Sequence, residues 1–127
     1  MKKVTIFDST LRDGAQAEGV SFSVEDKIKI VKALDELGVG YIEAGNPGSN
    51  PKDLDFFERI KSVDLKNTII AAFGSTRRRG ISPSEDGNLQ ALLSADTKTV
   101  AIFGKSWDFH VTDIINATLQ EKSGNDL

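Results

Sequence analysis

Asp8-Ser9-Thr10-Leu11-Arg12-Asp13-Gly14-Ala15-Gln16 directly follows the first apolar run of the chain, Val4-Thr5-Ile6-Phe7. These nine residues hold two carboxylates, a guanidinium, two hydroxyls and a carboxamide. If the apolar run is a buried strand, the polar groups converge at its carboxyl end, where α/β proteins place catalytic residues. A carboxylate there can hold a divalent metal, and an arginine can face a developing oxyanion. The alternative is a capped, solvent-exposed loop, because Asp, Ser, Thr and Gly are ordinary turn residues.

Strand-like and helix-like periods alternate four times along the chain, which predicts an α/β fold of parallel βα units. We predict strands over residues 3–7, 40–44, 68–73 and 98–103, and helices over residues 24–37, 51–62, 84–95 and 108–121. Ser23 and Asp26 approximate a capping box at the start of the first helix, and Gly38 follows its end. Asn50 and Pro51 are the corresponding start signal of the second helix.

Length and composition indicate one domain with a hydrophobic core, since the 127 residues are 39% apolar and 28% charged. A net charge of -3 gives no electrostatic case for nucleic acid. The chain has no cysteine, which excludes disulfides, thiolate zinc sites and a cysteine nucleophile. No stretch approaches the roughly 20 apolar residues of a membrane span, so we expect no membrane partner and a soluble cytoplasmic protein.

The stretch 8–16 resembles the opening signature of the metal-dependent pyruvate-carboxylase, aldol-lyase and isopropylmalate-synthase superfamily, whose members build a TIM barrel around one divalent cation. Five further blocks resemble the citramalate synthase branch of that superfamily: residues 18–23, 41–43, 47–53, 73–78 and 102–111. The resemblance spans about residues 3–121, and separate blocks in the right order are far more specific than one short motif.

The resemblance implies the N-terminal half of a TIM (β/α)8 barrel, because a complete barrel needs about 250 residues. Residues 1–121 would be the (βα)4 half of a pyruvate-carboxyltransferase-like catalytic barrel. Residues 122–127 would be a polar tail that leaves the family pattern, and the sequence does not distinguish a truncation from a natural end. The two edges of such a half sheet, near residues 4–7 and 98–103, are expected to be unpaired and apolar.

The resemblance also implies roles for residues near the first two strands. Asp13 would be a ligand of a divalent metal (Mg, Mn or Zn), and the alternative is a cap or salt-bridge aspartate. Arg12 would polarise the keto oxygen of the substrate and stabilise the alkoxide, whereas a structural role would pair it with Asp8 or Glu43. Glu43 would relay a proton or orient a neighbouring group, and Gln16 would contact the substrate. Asp8 would help to orient Arg12 without touching the substrate.

Residues after the third and fourth strands supply the remaining candidates. Ser75 and Thr76 would contact the 2-oxoacid, and Arg77 or Arg78 would meet a carboxylate or the coenzyme, with a solvated turn as the alternative for the arginines. His110 is the only histidine, so the His-x-His pair with which the family completes its metal site is absent. It is predicted in the first turn of the fourth helix, either as a neutral substrate contact or as a structural histidine.

The resemblance implies an acyltransferase that condenses acetyl-CoA with pyruvate to give citramalate and CoA, an entry to isoleucine synthesis, and that works as a homodimer or larger homo-oligomer. Isopropylmalate synthase, homocitrate synthase and acyl-CoA lyase activities are the near alternatives. A receiver-like or flavodoxin-like switch module also fits the length, but Ala71-Ala72-Phe73 offers no phosphorylatable aspartate. A non-catalytic half-barrel assembly module is the remaining alternative.

Overall fold

A computed structural model of the chain describes residues 2–107 and 109–114. Four strands alternate with three α-helices, and the elements in chain order are β1 (Phe7–Asp8), α1 (Val24–Leu37), β2 (Tyr41–Glu43), α2 (Pro51–Ile60), β3 (Ile69–Ser75), α3 (Gly87–Ser94) and β4 (Thr99–Phe103). Short 3₁₀ turns cover Gly14–Gln16 and Pro83–Glu85, and a π-helical turn covers His110–Ile114. No helix within the described ranges is long and apolar enough to cross a bilayer.

The four strands form one parallel sheet in the order β1-β2-β3-β4. Tyr41 of β2 pairs with Phe7 on one side and Ile69 on the other, and Ala71 of β3 pairs with Thr99. The predicted parallel βα architecture is therefore confirmed. A flavodoxin-like or receiver-like sheet would interrupt the chain order of its strands, so that alternative is excluded for the described part of the chain.

Local capping signals explain where the first two helices begin and end. Ser23 Oγ accepts from the N–H of Asp26, and the Asp26 carboxylate accepts from the N–H of Ser23, so the capping box is complete. Gly38 ends α1 in the left-handed region at φ 90°. Asn50 caps α2 by accepting from the N–H of Lys52, and Pro51 occupies the first turn.

Apolar residues recur at helical spacing along α1, at Ile28, Val31, Leu34 and Leu37, but the buried face departs from this spacing at the carboxyl end. Val31 is fully buried, but Leu37 is 77% exposed. Asp35, one turn after Val31, takes the buried position instead and accepts the N–H groups of Lys66, Asn67 and Thr68. The first two of these bonds hold the pKa of the Asp35 carboxyl below its ordinary value.

Asp86 interrupts the predicted helix over residues 84–95. It is fully buried and caps α3 by accepting from the N–H groups of Asn88 and Leu89, while its other oxygen accepts from the N–H of Arg78. Burial raises the pKa of the Asp86 carboxyl, but these hydrogen bonds outweigh burial and lower it overall. The turn Pro83–Glu85 and α3 are therefore separate elements.

The sheet edges are apolar and exposed. Of the predicted first strand, residues 3–7, only Phe7 enters the ladder, where Asp8 follows it, and Val4 and Ile6 are exposed, so the apolar run is not a buried strand. The reason is that β1 and β4 each pair on one side only in the described chain. Ile102 and Phe103 of β4 are exposed in the same way. The prediction of unpaired apolar edges is thus confirmed.

The fourth predicted helix falls only partly within the described residues. His110–Ile114 form a π-helical turn there, and Val111 donates its N–H to the carbonyl of Trp107. The rest of the predicted helix up to residue 121, and the predicted tail 122–127, lie outside the described residues.

Candidate functional site

A cavity of about 230 Å³ opens where the loops after β1 and β2 meet. Its wall includes Arg12 and Gln16 from the first loop, Asn46 from the second, and Lys27 and Phe73 from the elements behind them. Because the strands are parallel, both loops follow carboxyl ends and lie on the same edge of the sheet. The structure therefore brings Arg12 and Gln16 together on the wall of one cavity.

Arg12 is held on three sides. Its Nε donates to Glu43 Oε1, its Nη1 lies 3.5 Å from Asp13 Oδ1, and its guanidinium carbon is 4.1 Å from the ring centroid of Phe73. The Arg12 side chain is 24% exposed and that of Glu43 only 5%. A buried carboxylate is unfavourable unless a cation pairs with it. The ion pair with Glu43 therefore holds the Arg12 guanidinium in place at the cavity wall. The pairing with Glu43 anticipated from the sequence is present, and Asp8 is not the partner.

The turn that carries Arg12 is organised by its own backbone. The carbonyl of Ser9 accepts the N–H groups of Arg12, Asp13 and Gly14. Asp8 accepts from the N–H and the hydroxyl of Thr10 at 3.0 and 2.9 Å. Asp8 thus braces the first residues of the turn and acts on Arg12 only through it.

Asp13 offers its carboxylate to solvent, since the side chain is 68% exposed and makes no capping hydrogen bond. Such an exposed, hard oxygen donor, with Arg12 Nη1 3.5 Å away, suits one position around a divalent ion. Across the part of the chain that the structure describes, no three His, Cys, Asp or Glu residues cluster closely enough to hold a metal. Asp13 therefore fits as a single ligand but does not form a site with the other described residues.

The other predicted contacts lie outside the cavity. Ser75 ends β3 in register with Phe103, and Thr76 donates its N–H to the Phe103 carbonyl at 3.0 Å. His110 packs edge-on against Trp107, with ring centroids 4.7 Å apart. Ser75 ends β3, Thr76 follows it and His110 follows β4, so all three lie toward the same edge of the sheet, but they are not among the cavity-lining residues.

The arginines after β3 hold their own loop. Arg77 Nη1 donates to the carbonyl of Ile81 at 3.1 Å, and the N–H of Arg78 donates to Asp86. The Asn88 carboxamide has one orientation in which both its oxygen and its nitrogen form hydrogen bonds. In that orientation the oxygen accepts from the Arg78 guanidinium and the nitrogen donates to the carbonyl of Gly48. Arg78 therefore contributes to the contact between this loop and the loop after β2.

Sequence reasoning missed Phe73 and a buried ion pair between Lys27 and Asp53. Lys27 Nζ lies 2.7 Å from Asp53 Oδ1, and both residues line the cavity. A signal for Lys27 was available, because it lies in the buried stripe of α1 between Val24 and Val31. The Phe73 contact had no local signal, because it depends on how β3 extends past β2.

Comparison with known proteins gives a consistent picture. Residues 3–125 match the HMGL-like family. The (R)-citramalate synthase of Aquifex aeolicus is 55% identical over 120 residues, which are 94% of this chain and 23% of that protein. That of Geobacter sulfurreducens is 54% identical over 121 residues, or 95% and 23%. The 2-isopropylmalate synthase of Lysinibacillus sphaericus is 37% identical over 111 residues, or 87% and 21%.

A solved structure agrees with these matches. The Bacillus subtilis HMG-CoA lyase superposes with a TM-score of 0.68 at 25% identity, over 98% of this chain and 40% of that chain. The predicted fold class, parallel βα units from the N-terminal half of a TIM barrel, is thereby confirmed, as is the superfamily that the sequence blocks resemble. The chain spans about a quarter of the length of the curated citramalate synthases it matches.

Proposed function

The chain belongs to the HMGL-like family, and from that premise we propose that it contributes the N-terminal part of the catalytic barrel in a citramalate synthase. The reaction joins acetyl-CoA, pyruvate and water into citramalate and CoA. The observation that carries the proposal is the difference in identity between two groups of relatives. Citramalate synthases are 46% to 55% identical to this chain, whereas the isopropylmalate synthases are 32% to 37% identical.

Arg12 is the group proposed to meet the keto oxygen of pyruvate. The guanidinium is a permanent cation with directional donors, and Glu43 and Phe73 hold it in one orientation at the cavity wall. A donor that is fixed before the substrate arrives stabilises the alkoxide without reorganising during the reaction. Glu43, being almost fully buried, acts in this proposal by orienting Arg12, and a role in proton relay belongs to the same hypothesis.

Asp13 is proposed as one ligand of a divalent ion, Mg²⁺, Mn²⁺ or Zn²⁺. When bound, such an ion would act as a Lewis acid toward the keto acid. The proposal rests on the family and on the exposed, uncapped carboxylate of Asp13.

The remaining candidates complete the substrate site. Gln16 shares the cavity wall with Arg12, which supports a contact with the 2-oxoacid. Ser75, at the end of β3, and Thr76 and His110, after β3 and β4, are proposed to contact substrate on the same edge of the sheet. Asp8 supports Arg12 by bracing the turn.

Several parts of the proposal concern the whole protein: the use of acetyl-CoA and pyruvate, a place in isoleucine synthesis, a cytoplasmic location and a homo-oligomeric state. The alternatives of the same class are isopropylmalate synthesis, homocitrate synthesis and acyl-CoA lysis, which differ in how the pocket accommodates the acyl tail. The alternative of another class is a half-barrel without catalysis that serves in assembly.

The deciding experiment measures CoA release by the intact protein with acetyl-CoA and Mn²⁺. Pyruvate, a branched 2-oxoacid and a 2-oxodicarboxylate are supplied separately, and each product is identified by mass spectrometry. We expect the highest kcat/KM with pyruvate, and citramalate as the product. Preference for another 2-oxoacid would assign one of the related synthases, and no CoA release with any of them would leave acyl-CoA lysis and the assembly module.

A further inference from the structure

We propose that the buried ion pair between Lys27 and Asp53 positions the loop after β2, and through that loop Arg12. The β2–α2 loop is defined here as residues 44–50, between the end of β2 and the start of α2. The inference rests on the proposed function, because it assigns positioning residues to that reaction. Lys27 and Asp53 have no role of their own in the reaction proposed above.

The ion pair is largely buried beneath the cavity that both residues line. The Lys27 side chain is 3% exposed and that of Asp53 15%, and the Lys27 Nζ also lies 4.8 Å from the ring centroid of Phe56. A charge in such surroundings is unfavourable unless its partner and further hydrogen bonds compensate it. The two side chains therefore hold each other in one place, α1 against α2.

The second oxygen of Asp53 contacts the β2–α2 loop. Asp53 Oδ2 accepts the N–H of Asn46 at 2.9 Å. Gly45 lies against the same carboxylate with φ +152°, and a Cβ at this position would be within 2.6 to 3.0 Å of three carboxyl atoms. The loop backbone is thus hydrogen-bonded to Asp53 and packed on it, with no space between them.

The β2–α2 loop in turn contacts β3, the strand whose Phe73 ring packs against the Arg12 guanidinium. The carbonyl of Gly45 accepts the N–H of Phe73 at 2.9 Å, which continues the sheet beyond the end of β2. The Phe73 ring lies under the Arg12 guanidinium. Lys27 is thus linked to Arg12 through Asp53, the β2–α2 loop and Phe73, and each neighbouring pair in this series is in direct contact. The cavity is lined by Arg12, Lys27, Asn46 and Asp53. A displacement of the loop would therefore change the cavity wall beside Arg12.

The alternative is that the pair only holds two helices together. A second ion pair joins the same helices and provides a matched control: Arg59 Nη1 of α2 lies 2.6 Å from Glu25 Oε1 of α1. Both side chains are exposed, and Arg59 lies at the far end of α2 from the loop. Removing this pair tests the helix contact without touching the β2–α2 loop.

The experiment uses the intact protein and three variants of the pair: Asp53→Asn, Lys27→Met, and the double variant Lys27→Met with Asp53→Leu. Hydrogen exchange of peptides covering residues 44–50 reports the loop without reference to activity. Urea unfolding reports stability, and CoA release reports kcat and KM for the 2-oxoacid. Glu25→Gln and Arg59→Met are the controls.

We expect the single variants to lose stability, to expose the loop to exchange at least tenfold faster, and to lower kcat/KM about 10- to 100-fold, as small misplacements of active-site groups do. The double variant has no unpaired buried charge, so its stability should recover. It still lacks the acceptor for Asn46, so loop protection and kcat/KM should stay low. The controls should keep the wild-type loop protection and kcat/KM.

Two results would overturn the proposal. One is wild-type loop protection in Asp53→Asn, which would show that the charge does not order the loop. The other is a double variant in which stability, loop protection and kcat/KM recover together, which would make the pair purely structural. If the wild-type protein releases no CoA, the proposed function fails, and the exchange measurement still decides whether the pair orders the loop.

Discussion

Replacing Arg12 with lysine in the intact protein is expected to lower kcat about 100- to 1,000-fold, the cost of about 3 to 4 kcal/mol that follows loss of an oxyanion donor. Lysine keeps the positive charge but replaces a planar fork by a single ammonium group. In the structure the fork both donates to Glu43 through Nε and carries Nη1 toward Asp13. The three donors of an ammonium sit on one nitrogen, so lysine lacks the separate nitrogens with which the guanidinium can bind Glu43 and still reach the keto oxygen.

The buried carboxylate decides which contact the lysine makes. Glu43 is only 5% exposed, and leaving such a charge without its partner costs about 3 to 5 kcal/mol. The ammonium is therefore expected to stay with Glu43 and to leave the substrate without a donor. Loss of the contact with the Phe73 ring and of one hydrogen-bonding arm should lower the free energy of unfolding by about 1 to 2 kcal/mol.

The assay is steady-state CoA release with acetyl-CoA, pyruvate and Mn²⁺, with urea unfolding of the same preparations. Arg59→Lys is the matched control, since Arg59 is an exposed arginine in an ion pair with Glu25, away from the cavity. The control should retain the wild-type kcat. A kcat for Arg12→Lys within twofold of wild type would refute the catalytic assignment and would leave Arg12 as a structural partner of Glu43.

Three further predictions concern the metal, the acid stability and the isolated chain. Asp13→Asn in the intact protein should weaken Mn²⁺ binding in calorimetry and abolish turnover, because the amide keeps the shape but loses the charge, and unchanged affinity would contradict the ligand assignment. Asp86→Asn should lower the free energy of unfolding by about 2 kcal/mol above pH 5. Folding lowers the Asp86 pKa below its ordinary 3.8, so the wild-type protein loses the stability contributed by the charged carboxylate as the pH falls through the folded pKa. The urea midpoints of the two proteins should therefore converge in acid. A difference that stays constant with pH would contradict the stabilising role of the Asp86 charge. Residues 1–127 alone should self-associate through the apolar edges of β1 and β4 in light scattering and release no CoA, and a stable monomer or an active one would contradict the half-barrel argument.

Elements whose boundaries depend on neighbouring residues could be predicted from the sequence. Ser23, Asp26 and Gly38 set both ends of α1 through contacts within one turn of the helix. The extent of β1 could not be predicted in this way, because a strand ends where its pairing partner ends. Val4 and Ile6 have an apolar strand pattern, yet they pair with nothing on their outer side and remain exposed.

The contacts of the candidate site also differ in whether they could be predicted from the sequence. Arg12 follows β1 and Glu43 ends the neighbouring parallel strand β2, so their meeting could be anticipated as one of two pairings. Asp8 was the other, and it bonds within its own turn instead. The Lys27–Asp53 pair joins residues of two different helices that are 26 positions apart in sequence. Lys27 lies outside the blocks that carry the family resemblance, and Asp53 ends the block 47–53, but nothing in that block indicates Lys27 as its partner. Such a contact depends on how α1 and α2 pack, which no local pattern specifies.

The order β1-β2-β3-β4 has a consequence for how the protein is made. Each strand pairs with the strand synthesised before it, roughly 30 residues earlier, so every sheet contact has its partner ready when it leaves the ribosome. At about 5 to 20 residues per second a new βα unit emerges every few seconds, which is far slower than helix formation or loop closure. The sheet is thus able to grow one unit at a time from its N-terminal edge. Throughout that growth the newest strand presents free N–H and C=O groups beside apolar side chains, and it stays open to wrong pairing until the next strand arrives.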